Sequence, residues 1–420
     1  MAKYDSYKET CIQWIGQIPS HWQIMPFKRR MSLNNGADYK DIASEDGYPV
    51  MGSGGQFAFA EKYMYDGEAV LLGRKGTIDR PLYFNGPFWA VDTMFYAVPD
   101  KRVCCKYMYY QALTFPFSYY ATSTALPSMT QTDLGGNPIC VPPVLEQKAI
   151  AGYLDAECKK IDDLISKEEN RRGLLLELRK TIVTSMVTKG LDNSEEMIDS
   201  HIKSIGAIPK YWKVCQIRHV LVYGKDGIKI GPFGSSLTGK VSADGEYKIY
   251  GQWNIIDNDF SAGTAYVEED TFSDLVSYQV ISGDVLISMM GTVGKCAIIP
   301  DNIQKGIMDS HVVKAKLNPA KMDKDYFALV YDKDNSDVVF AQINEVKKGS
   351  IMDGLNSSLI KSLRICVPPI DEQREIVTAV KKQTRSIDSA LKKAKKQIKL
   401  LKEYKTALIK EVVTGKRKVY

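Results

Sequence analysis

The chain has 420 residues, which at about 150 residues per domain predicts roughly three domains and excludes a single small module. Hydrophobic residues make up 44% and charged residues 25%, as in ordinary globular proteins, which excludes a disordered tail protein, a collagen or a disulfide scaffold. The net charge of +6 is small for this length, so composition alone does not indicate nucleic-acid binding.

The eight cysteines form no C-x-x-C pair, and the first residues lack the apolar stretch of a signal peptide. The strongest apolar run, residues 285–290, has the length of a strand and is much too short to cross a bilayer. We therefore expect a cytoplasmic protein with reduced thiols and no membrane segment.

In chain order, the first predicted element is a globular α+β domain over residues 1–143. Short apolar runs separated by Gly, Pro, Asn and Asp predict its strands, and a longer apolar pattern predicts a helix. The strands are expected at residues 69–72, 81–84 and 95–98, and the helix at residues 106–114.

A long helix follows over residues 144–190. The Pro-Pro pair before it blocks a helix, and Glu146 and Gln147 fall in its first turn. Apolar residues, Leu178 among them, then recur at heptad spacings, and Gly190 supplies a stop.

The second half of the chain repeats this order. Residues 191–369 predict a second α+β domain, and residues 370–420 predict a second heptad helix that stops at Gly415. The strands of the second domain are expected at residues 248–250, 284–289 and 312–317, and its helix at residues 323–332.

Two sequence motifs mark the repeat. I-G-Q-I-P-S-H-W at residues 15–22 recurs as I-G-A-I-P-K-Y-W at residues 205–212. I-C-V-P-P-V-L-E-Q at residues 139–147 recurs as I-C-V-P-P-I-D-E-Q at residues 365–373, with seven identities in nine positions. The offset between the copies grows from 190 to 226, so we expect additional surface-loop residues in the second copy.

Weaker similarities keep the same order between these motifs. A strand motif G-[DE]-x-[VL]-[LI] is followed in both copies by a Gly-Thr pair, at residues 76–77 and 291–292. Asp92-Thr93 likewise matches Asp309-Ser310, and in one register Arg74-Lys75 faces Met290-Gly291. An arginine contact therefore cannot be transferred to the second copy.

The two heptad stripes have matching length, which favours an antiparallel coiled coil over the alternative that each stripe packs on its own domain. The predicted fold is α+β, with two globular domains separated by two long antiparallel helices and a pseudo-twofold internal repeat. The residues expected to pack the helices are Ile150, Leu154, Ile161, Ile165, Leu175, Ile182, Ile376, Val380, Ile387, Leu391, Leu401 and Leu408.

Motifs for catalysis are not found in the sequence. The four histidines, at positions 21, 201, 219 and 311, form no zinc motif, so we predict no metal site. Residues 291–296 lack the first Gly and the final hydroxyl of a phosphate loop, and residues 51–56 lack the later Gly of a dinucleotide loop. A self-contained methyltransferase would need a cofactor loop and an [ND]-P-P-[FY] motif, which the chain does not supply.

Loops at equivalent positions of the two copies contain residues suited to binding a polynucleotide. Gly lets backbone amides approach a phosphate, Lys and Arg supply charge, and Gln, Asn, Arg and Ser can contact base edges. Each loop alone is more often a solvated turn, but the recurrence favours a shared type of ligand. The candidate DNA-binding residues are Ser53, Gln56, Arg74, Lys75, Thr77, Ser123, Thr124, Ser235, Ser236, Gln252, Asn254, Lys295, His311, Lys347, Lys348 and Ser350.

The basic residues are concentrated in the second helix. Residues 371–420 carry a net charge of +9, which leaves −3 for the first 370 residues. The excess is either a solvated coiled-coil face or a surface for DNA phosphates or an acidic partner.

These motifs, each present twice, resemble the specificity subunit of type I restriction-modification enzymes. The resemblance covers nearly the whole chain and depends most on V-P-P-x-x-E-Q opening a heptad helix in both halves. It implies a subunit without an active site, in which each globular domain is a target recognition domain for one half of a split DNA sequence. The helices would then form the spacer that separates the two halves.

The resemblance also implies partners that carry the chemistry. Two modification subunits would bind S-adenosylmethionine and methylate adenine, and restriction subunits would use ATP and Mg to translocate and cut double-stranded DNA. Because the two domains differ outside the shared motifs, we expect a non-palindromic target. A stand-alone repressor or architectural protein remains the alternative, since it would share the basic helix and the paired domains.

Overall fold

The computed structural model describes residues 3–120, 128–192, 194–347 and 354–419. The chain forms two compact units, of which the first comprises Met1–Glu169 with Lys396–Tyr420 and the second comprises Asn170–Lys395. This division passes through both long helices and so differs from the four consecutive segments predicted from the sequence. The boundaries of those four segments stay a prediction.

The first unit contains a seven-stranded sheet in the order β4-β10-β8-β9-β6-β7-β5. Strands β6 and β9 are parallel, and the other neighbours are antiparallel. Its elements are β1 (Tyr7–Glu9), β2 (Gln17–Pro19), β3 (Gln23–Pro26), β4 (Met31–Asn35), β5 (Ala43–Ser44), β6 (Tyr48–Gly52), β7 (Gly55–Ala60), β8 (Tyr65–Gly73), β9 (Leu82–Ala90), β10 (Met94–Pro99), α1 (Cys105–Ala112), α2 (Phe117–Tyr120), α3 (Gln131–Gly136), β11 (Pro138–Val141) and the first part of α4 (Val144–Lys189).

The second unit distributes the equivalent strands over two sheets, β15-β21-β18-β19 and β17-β16-β20. Strands β16 and β20 are parallel, like β6 and β9 of the first unit. Its elements are β12 (Met197–Asp199), β13 (Ala207–Pro209), β14 (Lys213–Gln216), β15 (Ile228–Ile230), β16 (Tyr247–Tyr250), α5 (Gln252–Asp257), β17 (Tyr266–Val267), α6 (Glu269–Asp274), β18 (Val285–Ser288), β19 (Cys296–Ile298), β20 (Gly306–Met308), β21 (Val312–Ala315), α7 (Lys324–Tyr331), α8 (Val338–Lys347), α9 (Ser357–Ser362), β22 (Arg364–Val367) and most of α10 (Ile370–Val413).

The predicted strands and helices are confirmed to within a few residues in both copies. The additional residues of the second copy include α5 and α6, which lie between β16 and β18, where the first copy has only β7. In the first unit β9 pairs with both β8 and β6 and joins them in one sheet. In the second unit two short strands take its place: β19 pairs with β18 and β20 pairs with β16, so the strands form two sheets.

One buried strand in each unit separates two hydrophobic cores. In β8, Val70 and Leu72 belong to the core that contains α1, whereas Leu71 belongs to a second core on the opposite face. In β18, Val285 and Ile287 face the core that contains α7, and Leu286 faces another core. Successive side chains of a strand point to opposite faces, so the apolar runs seen in the sequence are strands covered on both sides.

The long helices contain 46 and 44 residues, which at about 1.5 Å per residue is roughly 65 Å each. In the first unit, ion pairs join Asp162 to Lys405 (2.7 Å) and Glu169 to Lys402 (3.1 Å), so the two helices run antiparallel there. In the second unit, Arg179 pairs with Asp388 at 2.6 Å.

The helices pack both on each other and on the globular parts. Packing between the two helices and packing of each helix on its own domain, the two alternatives predicted from the heptad stripes, therefore both occur. The core of the first unit includes Leu154 of α4, Leu408 of α10 and Tyr107 of α1. Leu178, expected in the stripe, is instead 51% exposed. Of the predicted packing residues, Ile150, Leu154, Ile161, Ile165, Ile376, Val380, Ile387 and Leu408 are buried, and Leu175, Ile182, Leu391 and Leu401 are half-buried.

Candidate nucleic-acid interface

The two repeated motifs of the first copy meet in the first unit. Glu146, in the first turn of α4, is buried and accepts hydrogen bonds from Trp22 Nε1 (3.2 Å), the Tyr4 hydroxyl (2.6 Å) and His21 Nε2 (3.0 Å). Burial, together with the neighbouring Glu146 carboxylate, holds the pKa of Tyr4 well above its usual range. The carboxylate therefore fixes the start of α4 on the globular part of its unit.

The same contact occurs in the second unit. Glu372, in the first turn of α10, accepts hydrogen bonds from Trp212 Nε1 (3.1 Å) and the Tyr211 hydroxyl (3.0 Å). Burial raises the pKa of the Glu372 carboxyl. The repeated Glu thus has a structural role, which explains why the two motifs occur together in both copies.

The Gln that follows each Glu also has a structural role. Gln147 accepts from the Cys104 amide (2.9 Å) and donates to the Pro142 carbonyl (2.8 Å). Gln373 accepts from the Asp323 amide and donates to the Pro368 carbonyl, both at 2.9 Å. Each Gln connects the Pro-Pro junction to the residue just before α1 or α7.

The end of one long helix reaches the same tryptophan. Gly190 has φ +76° and Gly415 has φ +72°, conformations that favour glycine and confirm the predicted stops. A Cβ on Gly190 would lie 3.2 Å from Trp212, and one on Gly415 would lie 2.2 Å from Pro19. In each unit, one long helix begins and the other ends at this Trp.

In the first unit, the ends of several strands converge beside the turn that follows β8. The Arg74 and Lys75 amides donate to the Thr93 carbonyl, the Val91 amide donates to the Met51 carbonyl, and Lys75 pairs with Ser128 in an isolated bridge. We call residues 36, 51–52, 74–75, 91–93 and 128–129 the first strand-end cluster.

The second unit contains an equivalent group. The Met289 amide donates to the His311 carbonyl, the Leu355 amide donates to the Met289 carbonyl, and Met290 pairs with Gly354. We call residues 231, 250–252, 289–290, 309–311 and 354–355 the second strand-end cluster.

The two clusters correct the sequence alignment by one residue. Gly36 lies so close to the Val91 carbonyl that a Cβ would be 2.0 Å from it, and Gly231 lies in the same way against the Asp309 carbonyl (1.8 Å). Val91 therefore corresponds to Asp309. By the bridge pairing, Met289-Met290 stands opposite Arg74-Lys75, where the sequence alignment gave Met290-Gly291.

The described members of the predicted set in the first copy lie in the first cluster or within a few residues of it in sequence. Arg74 is half-buried, with its guanidinium 5.8 Å from the Phe95 ring centre and Nη1 3.4 Å from the Asp92 carbonyl. Lys75, Thr77 and Gln56 are exposed, and Ser53 is half-buried. Ser53 lies between β6 and β7 and Gln56 near the start of β7, so their short connection carries candidates beside residues 51–52.

Two predicted residues of the second copy, Gln252 and Asn254, form hydrogen bonds within the protein itself. Both amide atoms of Gln252 hold the backbone at Met289 and Met290. Asn254 is fully buried, accepts from the Gly251 amide and donates to the Asp259 and Ala262 carbonyls. These residues shape the second cluster, and the DNA contact of Asn254 stays a prediction, although its amide is buried and already bonded within the protein.

Lys295 is also unavailable as a free cation. Its side chain is half-buried, with 12% exposure, and pairs with Asp332 (3.0 Å) and Asp334 (2.9 Å). Although burial favours the neutral amine, these carboxylates raise the pKa of Lys295. The phosphate contact at Lys295 stays a prediction, and it would compete with the two carboxylates that already pair with this charge.

Three other predicted residues of the second copy are described, and all three are at least partly accessible. His311 is exposed, with Nδ1 3.2 Å from the Ser310 hydroxyl. Ser235 is exposed and Ser236 half-buried, in a single turn of 3-10 helix close to Gly231.

Part of the predicted set lies outside the described residues, namely Ser123, Thr124, Lys348, Ser350 and the side chain of Lys347. The described residues that follow these stretches, Ser128 and Gly354, belong to the two clusters.

Exposed apolar side chains at the clusters were missed by the sequence reasoning. Phe57 is 58% exposed beside Gly52, Phe233 is 84% exposed two residues from Gly231, and Met290 is 41% exposed. The Gly-Pro-Phe-Gly sequence at residues 231–234 could have indicated Phe233, because a large apolar residue between turn residues has little chance of burial.

Neither a metal-binding cluster nor a membrane-spanning helix occurs among the described residues. These residues contain no group of three or more His, Cys, Asp or Glu side chains that could hold a metal ion. No helix within the same ranges is both long and apolar enough to cross a membrane.

Comparisons with known proteins identify relatives of the chain. A family model described as the type I restriction modification DNA specificity domain matches residues 23–174 and 228–400. A Methanocaldococcus jannaschii protein named as the MjaX type I restriction enzyme specificity subunit is 25% identical over 215 residues, 50% of this chain and 47% of that protein. The MjaVIII specificity subunit of the same organism is 22% identical over 304 residues, 70% of this chain and 66% of that protein.

The chain thus spans about half to two thirds of the length of these curated relatives. Among solved structures, a chain from work on the assembly and conformational transition of the type I R-M system matches with a TM-score of 0.54 at 12% identity. The match covers 94% of this chain and 98% of that chain and shows similarity of fold.

Proposed function

This chain belongs to the family of the type I restriction modification DNA specificity domain, and from that premise we propose that it selects the DNA target of a type I restriction-modification system. The chain contributes recognition of double-stranded DNA, and partner subunits contribute the reaction. The candidate catalytic motifs were not found in the sequence, which agrees with this division of labour.

Each strand-end cluster contacts one half of a split target. The clusters combine backbone turns with exposed side chains that suit DNA: Lys75, Thr77 and Gln56 in the first unit and His311 and Ser235 in the second. Cations and backbone amides fix the register on phosphates, and polar side chains distinguish base edges.

The two halves of the target differ in sequence. At equivalent positions the first cluster carries Arg74-Lys75 and the second carries Met289-Met290. Cationic and thioether side chains favour different base edges, so the two units select different half-sites and the target is non-palindromic.

The long helices, which contribute to both units, set the separation of the half-sites and dock two modification subunits. Those subunits bind S-adenosylmethionine and methylate adenine, and restriction subunits supply ATP- and Mg-dependent translocation and cleavage. This chain holds the target in register for both activities.

The observation that carries the proposal is the duplication of one arrangement with different exposed residues. Both units have the Glu-Trp contact, the closely packed Gly and the bridged turn, while the accessible side chains differ. Two domains that bind the same kind of ligand with different specificity are expected to share their framework contacts and to differ in the exposed side chains of the strand-end clusters.

The test is co-expression with a candidate modification subunit, followed by sequencing of modified bases in the host DNA. We expect methylated adenines within a split, non-palindromic motif. A continuous or palindromic motif, or tight specific binding by the chain alone with no methylation in the co-expressing cells, contradicts the proposal.

A further inference from the structure

The central turns of α10 present a dense group of cations. Five lysines occur within eight residues, all of them exposed, and we call them the lysine segment: Lys392, Lys393, Lys395, Lys396 and Lys399. On the inner side of the same turns, Ala394 is buried and Ile398 is half-buried. The helix is therefore fixed by its apolar residues while the lysines face solvent.

Within the described residues, only one member of the lysine segment has an acidic neighbour. Lys399 Nζ lies 3.8 Å from Glu403 Oε1, and an exposed ion pair of this kind contributes little to stability. The other four lysines form no ion pair with a described residue. Other lysines of α10 are paired, for example Lys405 with Asp162 and Lys381 with Asp325. Positive charge in the lysine segment is thus not needed to hold the helix in place.

The first copy of the repeat supports the same conclusion. At the offset of 226 between the helices, the segment corresponds to residues 166–173 of α4, where Lys167, Arg171 and Arg172 are offset by Glu168 and Glu169. That stretch has net charge +1, against +5 in the lysine segment. The same helical framework forms with or without the charge, so the charge serves something outside the chain.

We propose that the lysine segment binds the phosphate backbone of the DNA between the two half-sites. Five positive charges over about 10 Å of helix approach the density of duplex DNA, about one negative charge per 1.7 Å. Lysine is a point charge on a flexible stem, which suits phosphates and gives no base specificity. The DNA between half-sites needs contacts of this sequence-independent kind, so the assignment rests on the proposed function.

The test compares two variants of the full-length chain in complex with the modification subunit. One is K392Q/K393Q/K395Q/K396Q/K399Q, in which Gln keeps the helix propensity. The other is a charge-matched control at five scattered exposed lysines: K8Q/K62Q/K101Q/K203Q/K213Q. The affinity for a duplex that carries the methylation motif is measured against salt concentration.

We expect the lysine-segment variant to flatten the plot of log affinity against log salt by about 4 to 5, because each lost phosphate contact removes about 0.9 from the slope. The control keeps the wild-type slope, and both variants keep the methylation motif. A slope equal to that of the control overturns the assignment.

Loss of the modification subunit from the purified variant, with an unchanged slope, also overturns it and assigns the segment to an acidic protein surface. A wild-type complex without a methylation motif overturns the proposed function, whereas the slope comparison decides the role of the lysine segment separately.

Discussion

Replacement of Glu146 by Ala tests the contact that fixes the start of α4. The Tyr4 hydroxyl and Trp22 Nε1 are buried donors that both bond to this carboxylate. Each buried donor left without a partner costs about 1–3 kcal/mol, so Glu146→Ala should destabilise the first unit by about 2–6 kcal/mol. His21 adds little, because its side chain is half exposed and can bond to water instead.

Glu372→Ala is the matched change in the second unit. Trp212 is buried, but Tyr211 is 48% exposed and can bond to water when the carboxylate is lost. Only one donor is then stranded, and the expected cost is about 1–3 kcal/mol. The double variant W22F/E146A removes one of the stranded donors and should recover part of the loss.

Native-state hydrogen exchange followed by mass spectrometry can measure both changes, because peptides from α1 and α7 report the two units separately. The reasoning is refuted if Glu146→Ala lowers protection of α1 by no more than Glu372→Ala lowers protection of α7. It is also refuted if Trp22→Phe and Glu146→Ala are strictly additive.

Gly415→Ala and Gly190→Ala should each lower stability by about 1–2 kcal/mol, because alanine is strained in the left-handed conformation. Gly415→Ala should lower the unfolding midpoint more, since its Cβ would lie 2.2 Å from Pro19. Equal unfolding midpoints for the two variants contradict this prediction. Burial raises the pKa of Glu372 above its ordinary 4.5, so the folded unit binds the proton more readily, and the stability of the second unit should fall as pH rises from 4.5 through the raised pKa. Hydrogen exchange measured as a function of pH should show this fall in the wild type and not in Glu372→Gln. A fall that persists in Glu372→Gln contradicts the prediction. Phe233→Ala should leave the unfolding midpoint unchanged, because the side chain is 84% exposed, yet weaken binding to the target duplex; unchanged affinity excludes Phe233 from the DNA surface.

The fold was accessible from the sequence because its signals are periodic or repeated. Buried strands such as β8 read as apolar runs, and the long helices read as heptads that end at Gly190 and Gly415. The central turns were less predictable. Leu178 satisfies the heptad spacing and is still exposed, because spacing along one helix does not show where a partner surface ends.

The candidate site was only partly accessible. Residue type and loop position indicated Lys75 and His311, which are exposed, but also Asn254 and Lys295, which are not. Asn254 caps a loop through its amide, and Lys295 is neutralised by Asp332 and Asp334, carboxylates 37 and 39 residues away in sequence. The partners of Lys295 lie far away in sequence and leave no local signal. The same holds for the pairing of Glu146 with Trp22, 124 residues apart.

The central claim is that each unit selects its own half of the DNA target. The most direct measurement is the methylation map of cells that express R74M/K75M, which gives the first cluster the residues found at the equivalent positions of the second. We expect the motif to change or relax in one half, while the other half and the spacing between them stay the same. A map in which both halves change, or in which neither half changes, would contradict the claim.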